Sequence, residues 1–399
     1  MYLSARRKRN NEGMKGGDYL FKQFKMPTRI ITGAGSVKEL GNLPMQRPLL
    51  ICDPFMLKNG TAVKIVQLFE AKQMSCPIFS EIVPDPTIEI VTKGLVEVIK
   101  HQPDSLIALG GGSAMDAAKA IRKMVQTADQ TAEMPLICLP TTSGTGSEVT
   151  AFSVISDPAN DGKYALVDEG MIPDLAILDP ELTISVPKNV TADTGIDVFT
   201  HCMEALASTN ATDFTDACAE KALRMIWEEL VCVFNEGENL ALRETIHNAS
   251  CLAGIAFSEA SLGICHSLAH ALGGKFHVPH GRANALLLPH VISYNAGLDL
   301  AEELPSLLVY QRIANLLGFT AGTPKATVHA FISGLNRKLR QLDIPKTIGE
   351  CGIDLESYEA AIPEMAEKAL KDPCTSTNPR QVTQEELEKI YKGLLRGGY

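Results

Sequence analysis

Two pairs of potential metal ligands, one of aspartate with histidine and one of two histidines, are spaced four residues apart at and beyond the middle of the chain. Asp197 and His201 form one pair, and His266 and His270 form the other. Each pair falls in a segment of helical periodicity, so its two side chains lie one above the other on one helix face and can bind an ion together. Either pair alone is also compatible with a helix-stabilising contact or a hydrogen-bonded polar group in the core.

A rigid turn with two more histidines follows the second pair. The segment His277-Val278-Pro279-His280-Gly281 can fold its imidazoles back toward the preceding helix. One carboxylate with two or three imidazoles, and no thiolate, suits a borderline divalent metal such as Fe²⁺ or Zn²⁺ in an open catalytic site. The spacing therefore predicts a metal site, but it leaves open which of these four later histidines are ligands.

Two loops rich in glycine and hydroxyl side chains each follow a predicted strand. In Gly110-Gly111-Gly112-Ser113 a ligand can approach the backbone closely, and the N–H groups that open the next helix favour an anion such as a pyrophosphate. The segment lacks the GxGxxG pattern, so a tight structural turn is the alternative. The second loop, residues 140–148 (PTTSGTGSE), is expected at the same sheet edge, where open α/β sheets bind ligands. It could also begin a helix that Ser143 or Ser147 caps.

Asp53 directly follows the apolar run PLLIC. A carboxylate at the end of a strand can accept hydrogen bonds from a ribose diol. In the usual dinucleotide-binding order such an acid lies about 20 residues after the glycine loop, whereas Asp53 precedes it. Chain order alone therefore does not support this role, and an aspartate before a proline, as in Asp53-Pro54, more often simply opens a turn.

Short apolar runs alternate with helical periodicities from Arg29 to about residue 185. The runs that we interpret as buried strands are residues 48–52, 76–83, 105–109 and 135–139. The helical segments between them are residues 57–73, 87–101 and 113–126. This alternation predicts a parallel, doubly wound α/β sheet. Residues 152–157, 164–167 and 175–178 lack helical spacing and are predicted to form a hairpin or an edge extension.

Strand-like runs are absent beyond residue 187, where long helical periodicities take over. These cover residues 191–208, 213–234, 240–260, 264–272 and 301–317. We predict two domains, an α/β dinucleotide-binding domain over residues 27–186 and an all-α domain over residues 187–399. The glycines and prolines at positions 273, 274, 279, 281 and 289 are expected to break the second domain into short pieces around a histidine-rich loop. The cleft between two such domains is a common place for a small-molecule site.

Composition and charge exclude several classes of protein. The formal net charge of −10 argues against a nucleic-acid binder, and no apolar run approaches the roughly 18 residues of a membrane span. The ten cysteines form no CxxC motif, which is typical of free thiols in a reducing cytoplasm. Residues 1–26 contain the basic cluster Arg6-Arg7-Lys8-Arg9 without an apolar stretch behind it. We predict a flexible extension there, either a solvated tail, a cloning remnant or a docking peptide.

Four longer motifs resemble a known family. GGGSAMDAAKA, PTTSGTGSEVT, TADTGIDVFTHCMEA and GICHSLAHALGGKFHVPHGRANALLLPHV are similar to motifs of the iron-dependent, or group III, alcohol dehydrogenases. Shorter phrases, such as SEIVPDPTIE and HNASCLAGIAFS, resemble the propanol and ethanol dehydrogenase branch found with bacterial microcompartments. The resemblance implies an α/β Rossmann-like N-terminal domain and an all-α C-terminal domain, the architecture shared with dehydroquinate synthase.

The same resemblance assigns roles to individual residues. It implies that the metal ligands are Asp197, His201, His266 and His280, and that His270 is a catalytic residue beside the nicotinamide. The residues that the resemblance places along the dinucleotide are Asp53, Gly111, Gly112, Ser113, Asp116, Thr141, Thr142, Ser147, Lys163 and Leu182. Among these, Asp53 matches the acid that favours NAD by repelling the extra phosphate of NADP.

The expected reaction is the reversible, NADH-dependent reduction of short aldehydes such as propanal and ethanal, with Fe²⁺, or alternatively Zn²⁺, as Lewis acid. We expect a cytoplasmic homodimer or higher even oligomer, with microcompartment shell or lumen enzymes as partners and no nucleic-acid or membrane partner. Three alternatives stay open: a 1,3-propanediol or lactaldehyde oxidoreductase, a lyase or cyclase of the dehydroquinate synthase type, and an assembly protein. The second would need several cations for a phosphorylated sugar acid, and only Lys275 and Arg282 are near the histidines in sequence.

Overall fold

The computed structural model describes residues 22–129, 133–157 and 162–396. The chain forms two compact units. The α/β unit unites residues 26–198 with residues 228–258, and the helical unit unites residues 199–227 with residues 259–396, together with residues 22–25. These two compact units differ from the two domains predicted from the sequence, which divide at residues 186–187. The predicted boundary between independently folding domains stays a prediction. Most of the predicted flexible extension, residues 1–21, lies outside the described residues.

Six parallel strands form the central sheet of the α/β unit. They are β1 (Arg29–Thr32), β2 (Pro48–Cys52), β3 (Ile78–Phe79), β4 (Ser105–Gly110), β5 (Leu136–Pro140) and β8 (Leu175–Leu178). They lie in the order β1-β8-β5-β4-β2-β3. Because the chain leaves β2 on one side for β3 and returns to the other side for β4, the carboxyl ends of β2 and β4 flank a topological switch point. Strands β6 (Phe152–Asp157) and β7 (Gly162–Val167) form a separate antiparallel hairpin.

The inner strands β2, β4, β5 and β8 are almost entirely apolar because helices cover both faces of the sheet. Helices α1 (Pro54–Lys58), α2 (Thr61–Glu70), α3 (Ile88–His101) and α4 (Gly112–Ala128) occur between the strands. Successive strand residues point to opposite faces. Leu49 therefore belongs to a buried cluster with residues of α3 and α4, whereas Leu50 belongs to a second cluster that contains Phe69 of α2. This division of the apolar side chains produces the doubly wound arrangement.

Long helices make up the remainder of the described chain. They are α5 (Lys188–Ala207), α6 (Asp213–Asn235), α7 (Leu240–Ala260), α8 (Ile264–Phe276), α9 (His280–Ala296), α10 (Pro305–Leu316), α11 (Pro324–Gln341), α12 (Leu355–Lys371) and α13 (Gln384–Gly393). The division between the two units falls inside α5, between Val198 and Phe199. Helix α8 ends where His277 takes a left-handed conformation (φ 55°), and α9 begins three residues later at His280.

The structure confirms the fold class, an α/β unit with a parallel sheet followed by helices, but it corrects several predicted elements. The single helix predicted over residues 57–73 is two helices, because Gly60 adopts φ 82° between α1 and α2. The predicted strand over residues 76–83 pairs only at Ile78–Phe79. Residues 175–178 form neither a hairpin nor an extension, since β8 pairs with β1 and β5 inside the main sheet. Their uninterrupted LAIL sequence is typical of a strand that is buried on both faces.

The prediction that glycines and prolines break the chain into short pieces around the histidines is also wrong in part. Gly273 and Gly274 lie within α8, and Pro289 lies within α9, both of which continue through these positions. The helix predicted from residue 301 begins at Pro305. All ten cysteines are free thiols, and six of them are buried. Within the described ranges, no single helix has both the length and the apolar composition of a membrane span.

Candidate functional site

Four histidine rings cluster in the helical unit. His201 comes from α5, His266 and His270 from α8, and His280 from the start of α9. The ring centroids of His201 and His266 are 4.7 Å apart, those of His266 and His280 are 5.2 Å apart, and those of His270 and His280 are 5.3 Å apart. The turn between α8 and α9 thus returns one imidazole to the α8 pair, as the sequence predicted. The returning residue is His280.

His277 does not join this cluster. It is exposed and supplies the left-handed residue that ends α8, with its N–H donating to the carbonyl of Gly273 at 2.9 Å. Among the residues that the structure describes, no ring contact links His277 to the other four histidines. Of the four later histidines that the sequence offers as metal ligands, His266, His270 and His280 therefore lie together, and His277 lies apart from them.

Potential ligand atoms converge beside this ring cluster. One atom each from Asp197, His201 and His266 lies within 4.8 Å of the other two, and all three residues are buried. Asp197 and His201 are one turn apart on α5, which accounts for their common direction. His280 is exposed and outside this group of three, but its Nε2 and that of His266 lie 3.3 and 3.2 Å from the side-chain nitrogen of Asn284. The two imidazoles therefore face a common point.

The predicted dinucleotide residues meet at the sheet edge of the α/β unit. Asp53 directly follows β2 and Gly110 ends β4, and these strands are neighbours although Asp53 comes first in the chain. Gly110 adopts φ 152°, and a Cβ atom added there would lie 2.7 Å from that of Ala114 and 3.4 Å from Oδ2 of Asp53. The close approach requires glycine. Asp53 also accepts a hydrogen bond from the N–H of Met56 at 3.0 Å, so it caps α1 as well.

The second loop packs directly against the first. The N–H of Thr141 donates to the carbonyl of Gly110 at 3.0 Å. A Cβ atom on Gly112 would lie 2.9 Å from the methyl of Thr145, and one on Gly111 would lie 3.2 Å from the hydroxyl of Thr142. Gly111, Gly112, Ser113 and Thr142 are all partly exposed. The two loops thus form one continuous edge with accessible backbone at the start of α4.

Asp116 and Ser147 are joined to each other beneath these loops. The Ser147 hydroxyl donates to Oδ1 of Asp116 at 2.7 Å and accepts from Nζ of Lys119 at 2.8 Å. The other oxygen of Asp116 accepts from the N–H of Val154 at 3.0 Å. Burial lowers the pKa of Lys119 and raises that of Asp116, while the charge of each partner opposes both shifts. The buried Glu148 beside them has a pKa raised to about 7 by burial.

The remaining predicted dinucleotide residues have different surroundings. Leu182 packs against the core cluster that includes Phe69. Lys163 lies opposite Ser156 in the β6–β7 hairpin, and its side chain lies outside the described parts of the structure.

Neither Ser143 nor Ser147 caps a helix, because the short 3₁₀ turn at Ser147–Val149 follows Gly146, which makes no side-chain cap. Ser143 instead lies 2.9 Å from Nδ1 of the buried His247.

Comparison with known proteins gives the family. The model of the iron-containing alcohol dehydrogenases matches residues 27–180, and the model of the C-terminal part of the Fe-containing alcohol dehydrogenase family matches residues 191–395. The chain belongs to the iron-containing alcohol dehydrogenase family. The family predicted from the sequence motifs is therefore confirmed, and the protein is an oxidoreductase that acts on alcohols or aldehydes.

Three similar proteins illustrate this relationship. A 1-propanol dehydrogenase, PduQ, of Salmonella typhimurium is 41% identical over 374 residues, which are 93% of this chain and 99% of that protein. An iron-containing alcohol dehydrogenase of Thermococcus thioreducens has a TM-score of 0.86 at 30% identity, covering 94% of this chain and 100% of that one. A sulfoacetaldehyde reductase of Bifidobacterium kashiwanohense in complex with NAD⁺ has a TM-score of 0.83 at 25% identity, covering 95% and 100%. The alcohol dehydrogenase thus resembles the propanol dehydrogenase branch, as the shorter motifs predicted.

Two carboxylates that sequence reasoning missed hold the histidines of this alcohol dehydrogenase. Glu204 is buried on α5, and its Oε2 lies 2.5 Å from Nδ1 of His266. Its other oxygen accepts from the N–H of Cys265 at 2.7 Å. A carboxylate at Nδ1 fixes the imidazole tautomer and leaves the lone pair on Nε2 for a metal. The available signal was an acid three residues after His201 on the same helix.

Asp372 holds His270 in a similar way. Its Oδ2 lies 2.9 Å from Nδ1 of His270, just after the end of α12. Burial raises the pKa of Asp372, but its hydrogen bonds to His270 and to the N–H of Cys374, with the charge of His270, outweigh burial and lower the pKa to about 2. The carboxylate is therefore ionised at neutral pH, and it orients a histidine whose side chain is 46% exposed. No sequence spacing connects these two residues.

The residues around the histidine cluster fit a divalent metal. The group of one carboxylate and two buried imidazoles has nitrogen and oxygen donors only, and a third imidazole lies beside it. The carboxylate behind His266 is the outer-shell partner that metal-binding histidines usually have. Such a donor set suits Fe²⁺ or Zn²⁺ with a position left for a substrate oxygen.

Proposed function

We propose that this alcohol dehydrogenase catalyses the reversible reduction of short aliphatic aldehydes, propanal and ethanal among them, to primary alcohols with NADH. The observation that carries this proposal is the buried Asp197–His201–His266 group with Glu204 behind it. The similarity to a 1-propanol dehydrogenase and to a reductase in complex with NAD⁺ supports the choice of substrate and coenzyme.

We assign the metal to Asp197, His201, His266 and His280, and we propose that it is Fe²⁺ in the cell. A bound divalent metal supplies Lewis-acid stabilisation of the negative charge that develops on the carbonyl oxygen. The chain contributes the positions of the donors. Helix α5 presents Asp197 and His201 together, and Glu204 keeps Nε2 of His266 available. Zn²⁺ binds such donors at least as tightly, so the metal in the cell depends on supply.

His270 is our candidate for the proton carrier. Its Nδ1 is held by Asp372, which leaves Nε2 available to exchange a proton with an alcohol or a water molecule. The side chain is 46% exposed, so a proton can continue to solvent. The ionised carboxylate of Asp372 holds the ring in this orientation while the proton is exchanged. His270→Gln should therefore lower turnover and change its pH profile, and an unchanged profile would remove His270 from this role.

The dinucleotide is assigned to the edge formed by the two loops of the α/β unit. The free N–H groups at the start of α4, around Gly112 and Ser113, favour the pyrophosphate. To Asp53, which lies beside Gly110, we assign the acceptance of hydrogen bonds from the ribose hydroxyls and the repulsion of a 2′-phosphate. Once bound, the nicotinamide supplies or accepts the hydride. The proposed preference for NAD over NADP depends on this one carboxylate.

The proposed substrate is small and weakly polar. A phosphorylated sugar acid, the substrate class of the lyase alternative, would need several cations. Lys275, one of the two cations near the histidines in sequence, is engaged in an ion pair with Glu364 at 2.7 Å. This observation favours the dehydrogenase over the lyase. The aldehydes of the propanediol- and lactaldehyde-type alternatives, 3-hydroxypropanal and lactaldehyde, each differ from propanal by one hydroxyl, and lactaldehyde represents them in the assay.

An anaerobic NADH-oxidation assay tests the proposed function. Metal-free protein is supplied with Fe²⁺, Zn²⁺ or no metal and assayed with ethanal, propanal, butanal and lactaldehyde, alongside Asp197→Ala. We expect turnover with Fe²⁺ that disappears in the variant. Metal and NADH binding without turnover on any aldehyde would contradict the dehydrogenase and favour the lyase or the assembly protein.

We also propose an even-numbered oligomer inside a bacterial microcompartment, on the resemblance alone. Residues 22–25 pack on other parts of the helical unit, since Nζ of Lys22 donates to the carbonyls of Thr209 and Ala211 at 3.3 Å and Phe24 stacks on Phe214. Deletion of residues 1–21 leaves these contacts in place. We expect this deletion to retain turnover and to lose co-sedimentation with shells if the N-terminus docks the enzyme, whereas unchanged co-sedimentation would contradict docking by this segment.

A further inference from the structure

We propose that His270, Asp372 and Cys374 form a second metal site, selective for Zn²⁺, that regulates this enzyme by capturing His270. One ligand atom from each residue lies within 4.8 Å of the other two, and all three belong to the helical unit. The group shares no residue with the Asp197–His201–His266 group. The consequence for turnover rests on the proposed function, but the existence of the site does not.

The backbone around Asp372 arranges the three donors. The carboxylate follows α12 and caps the short 3₁₀ turn Pro373–Thr377, accepting from the N–H of Cys374 at 2.9 Å. The Ser267 hydroxyl approaches the same oxygen at 3.3 Å, and the Thr375 hydroxyl donates to Ser267 at 2.8 Å. These bonds hold Oδ1 and turn Oδ2 toward His270. The site is therefore built by local hydrogen bonds rather than by a chance approach of long side chains.

The donor atoms determine the metal. Imidazole, carboxylate and thiolate together favour Zn²⁺, which binds sulfur at about 2.3 Å and nitrogen at about 2.0–2.1 Å. Donors at those distances in a tetrahedron are roughly 3.5 Å apart, which small side-chain movements within the observed 4.8 Å envelope achieve. Fe²⁺ and Mn²⁺ bind thiolate-containing sites of this kind more weakly. The fourth position is open to water, because His270 is 46% exposed.

Occupation of this site has a direct chemical consequence. Zn²⁺ binds Nδ1 of His270 once the proton on that nitrogen has moved, through solvent, to Nε2, and the Cys374 thiol releases its proton to solvent. The hydrogen bond between His270 and Asp372 is thereby replaced by two metal bonds. His270 can then no longer turn toward a substrate, and its ring cannot become an imidazolium. Excess Zn²⁺ should therefore inhibit the Fe²⁺-loaded enzyme, whereas excess Fe²⁺ should not.

Cobalt spectroscopy tests the site independently of activity. Co²⁺ replaces Zn²⁺ and shows a near-ultraviolet charge-transfer band only when a thiolate is a ligand. In wild-type protein we expect two bound Co²⁺ per chain and the charge-transfer band. In Asp197→Ala we expect one Co²⁺, bound at the second site, and the band. In Cys374→Ser we expect one Co²⁺, bound at the Asp197–His201–His266 site, and no band. Cys232→Ser, which changes the exposed cysteine, is the matched control and should behave as wild type.

Two further measurements keep the proposal falsifiable if Cys374→Ser fails to fold. X-ray absorption at the zinc edge of wild-type protein with two Zn²⁺ should show a sulfur shell at about 2.3 Å. Zinc inhibition of the Fe²⁺-loaded enzyme, relative to each variant's own basal rate, should be lost in Cys374→Ala. A single bound zinc, or two zinc ions without sulfur, would overturn the second site. If the Fe²⁺-loaded wild-type protein shows no turnover at all, the proposed function is overturned. The cobalt and X-ray absorption results on the second site remain valid in that case.

Discussion

Nδ1 of His266 lies 2.5 Å from Oε2 of Glu204, and both residues are buried. Glu204 is on α5 with His201, and His266 is on α8. One carboxylate thus joins two of the three helices that carry the clustered histidines, and it determines which nitrogen of His266 faces the metal position. The candidate metal centre therefore depends on a residue that is not itself a proposed ligand.

Glu204→Gln should weaken metal binding by about 10- to 100-fold, because the neutral amide no longer fixes the tautomer or raises the basicity of His266. Metal affinity is measured by competition with a chromogenic chelator. Glu367→Gln changes an exposed carboxylate of the same unit and is the control. Equal affinities for the two variants would show that Glu204 only supports the backbone of α8.

Asp53→Asn should shift coenzyme preference toward NADP(H) by about tenfold, or about 1.4 kcal/mol. Asparagine can still accept the hydrogen bond from Met56 that caps α1, so the charge is the main change. Dissociation constants for NADH and NADPH are measured by fluorescence titration, with the exposed Glu70→Gln as control. If both constants change by the same factor, Asp53 contributes to binding but not to the choice of coenzyme.

Lys119→Met should destabilise the protein by about 3–5 kcal/mol, because it leaves Asp116 buried without the ammonium that opposes its desolvation. Lys123→Met, one turn later on α4, removes a half-exposed ion pair with Asp168 and should cost about 0–1 kcal/mol. Chemical denaturation gives both free energies of unfolding. A similar small loss for the two variants would mean that the buried carboxylates simply take up protons.

Stability should fall between pH 6.5 and pH 4 because of His247. Burial lowers its pKa from 6.5 to about 4, so below pH 6.5 the unfolded chain binds a proton that the folded chain excludes. At pH 5 the resulting decrease in the free energy of unfolding is about 2 kcal/mol. His247→Gln should flatten the pH dependence relative to wild type, whereas the exposed His329→Gln should not. Parallel curves for wild type and His247→Gln would contradict the assignment.

Sequence patterns predicted local features of the site well and long-range partners poorly. The four-residue spacings brought Asp197 toward His201 and placed His266 and His270 on one helix, because helical geometry fixes both. Glu204 and Asp372 escaped notice because their partners are far away in the chain. The partners of Lys119 were equally unpredictable, since they come from the loop and hairpin that follow β5.

Strand order explains two further differences. Chain order argued against Asp53, yet β2 lies beside β4, so the carboxylate is next to Gly110. Residues 175–178 were predicted to form part of a hairpin or an edge extension because this stretch lacks helical spacing, whereas their place inside the main sheet follows from burial of both faces. Alternation of strands and helices identifies a doubly wound sheet but does not give the neighbours of each strand.

Helix α7 completes the edge of the α/β unit from far along the chain. Gly254 is so close to Gly146 that a Cβ on either would lie within 3 Å of the other's Cα, and His247 holds Ser143. During synthesis on the ribosome, the sheet strands emerge well before this support. Loop 140–148 of the nascent chain therefore lacks its packing partners until residues 240–258 have been synthesised. A fragment that stops at residue 186 should bind dinucleotide poorly, even if its strands pair correctly.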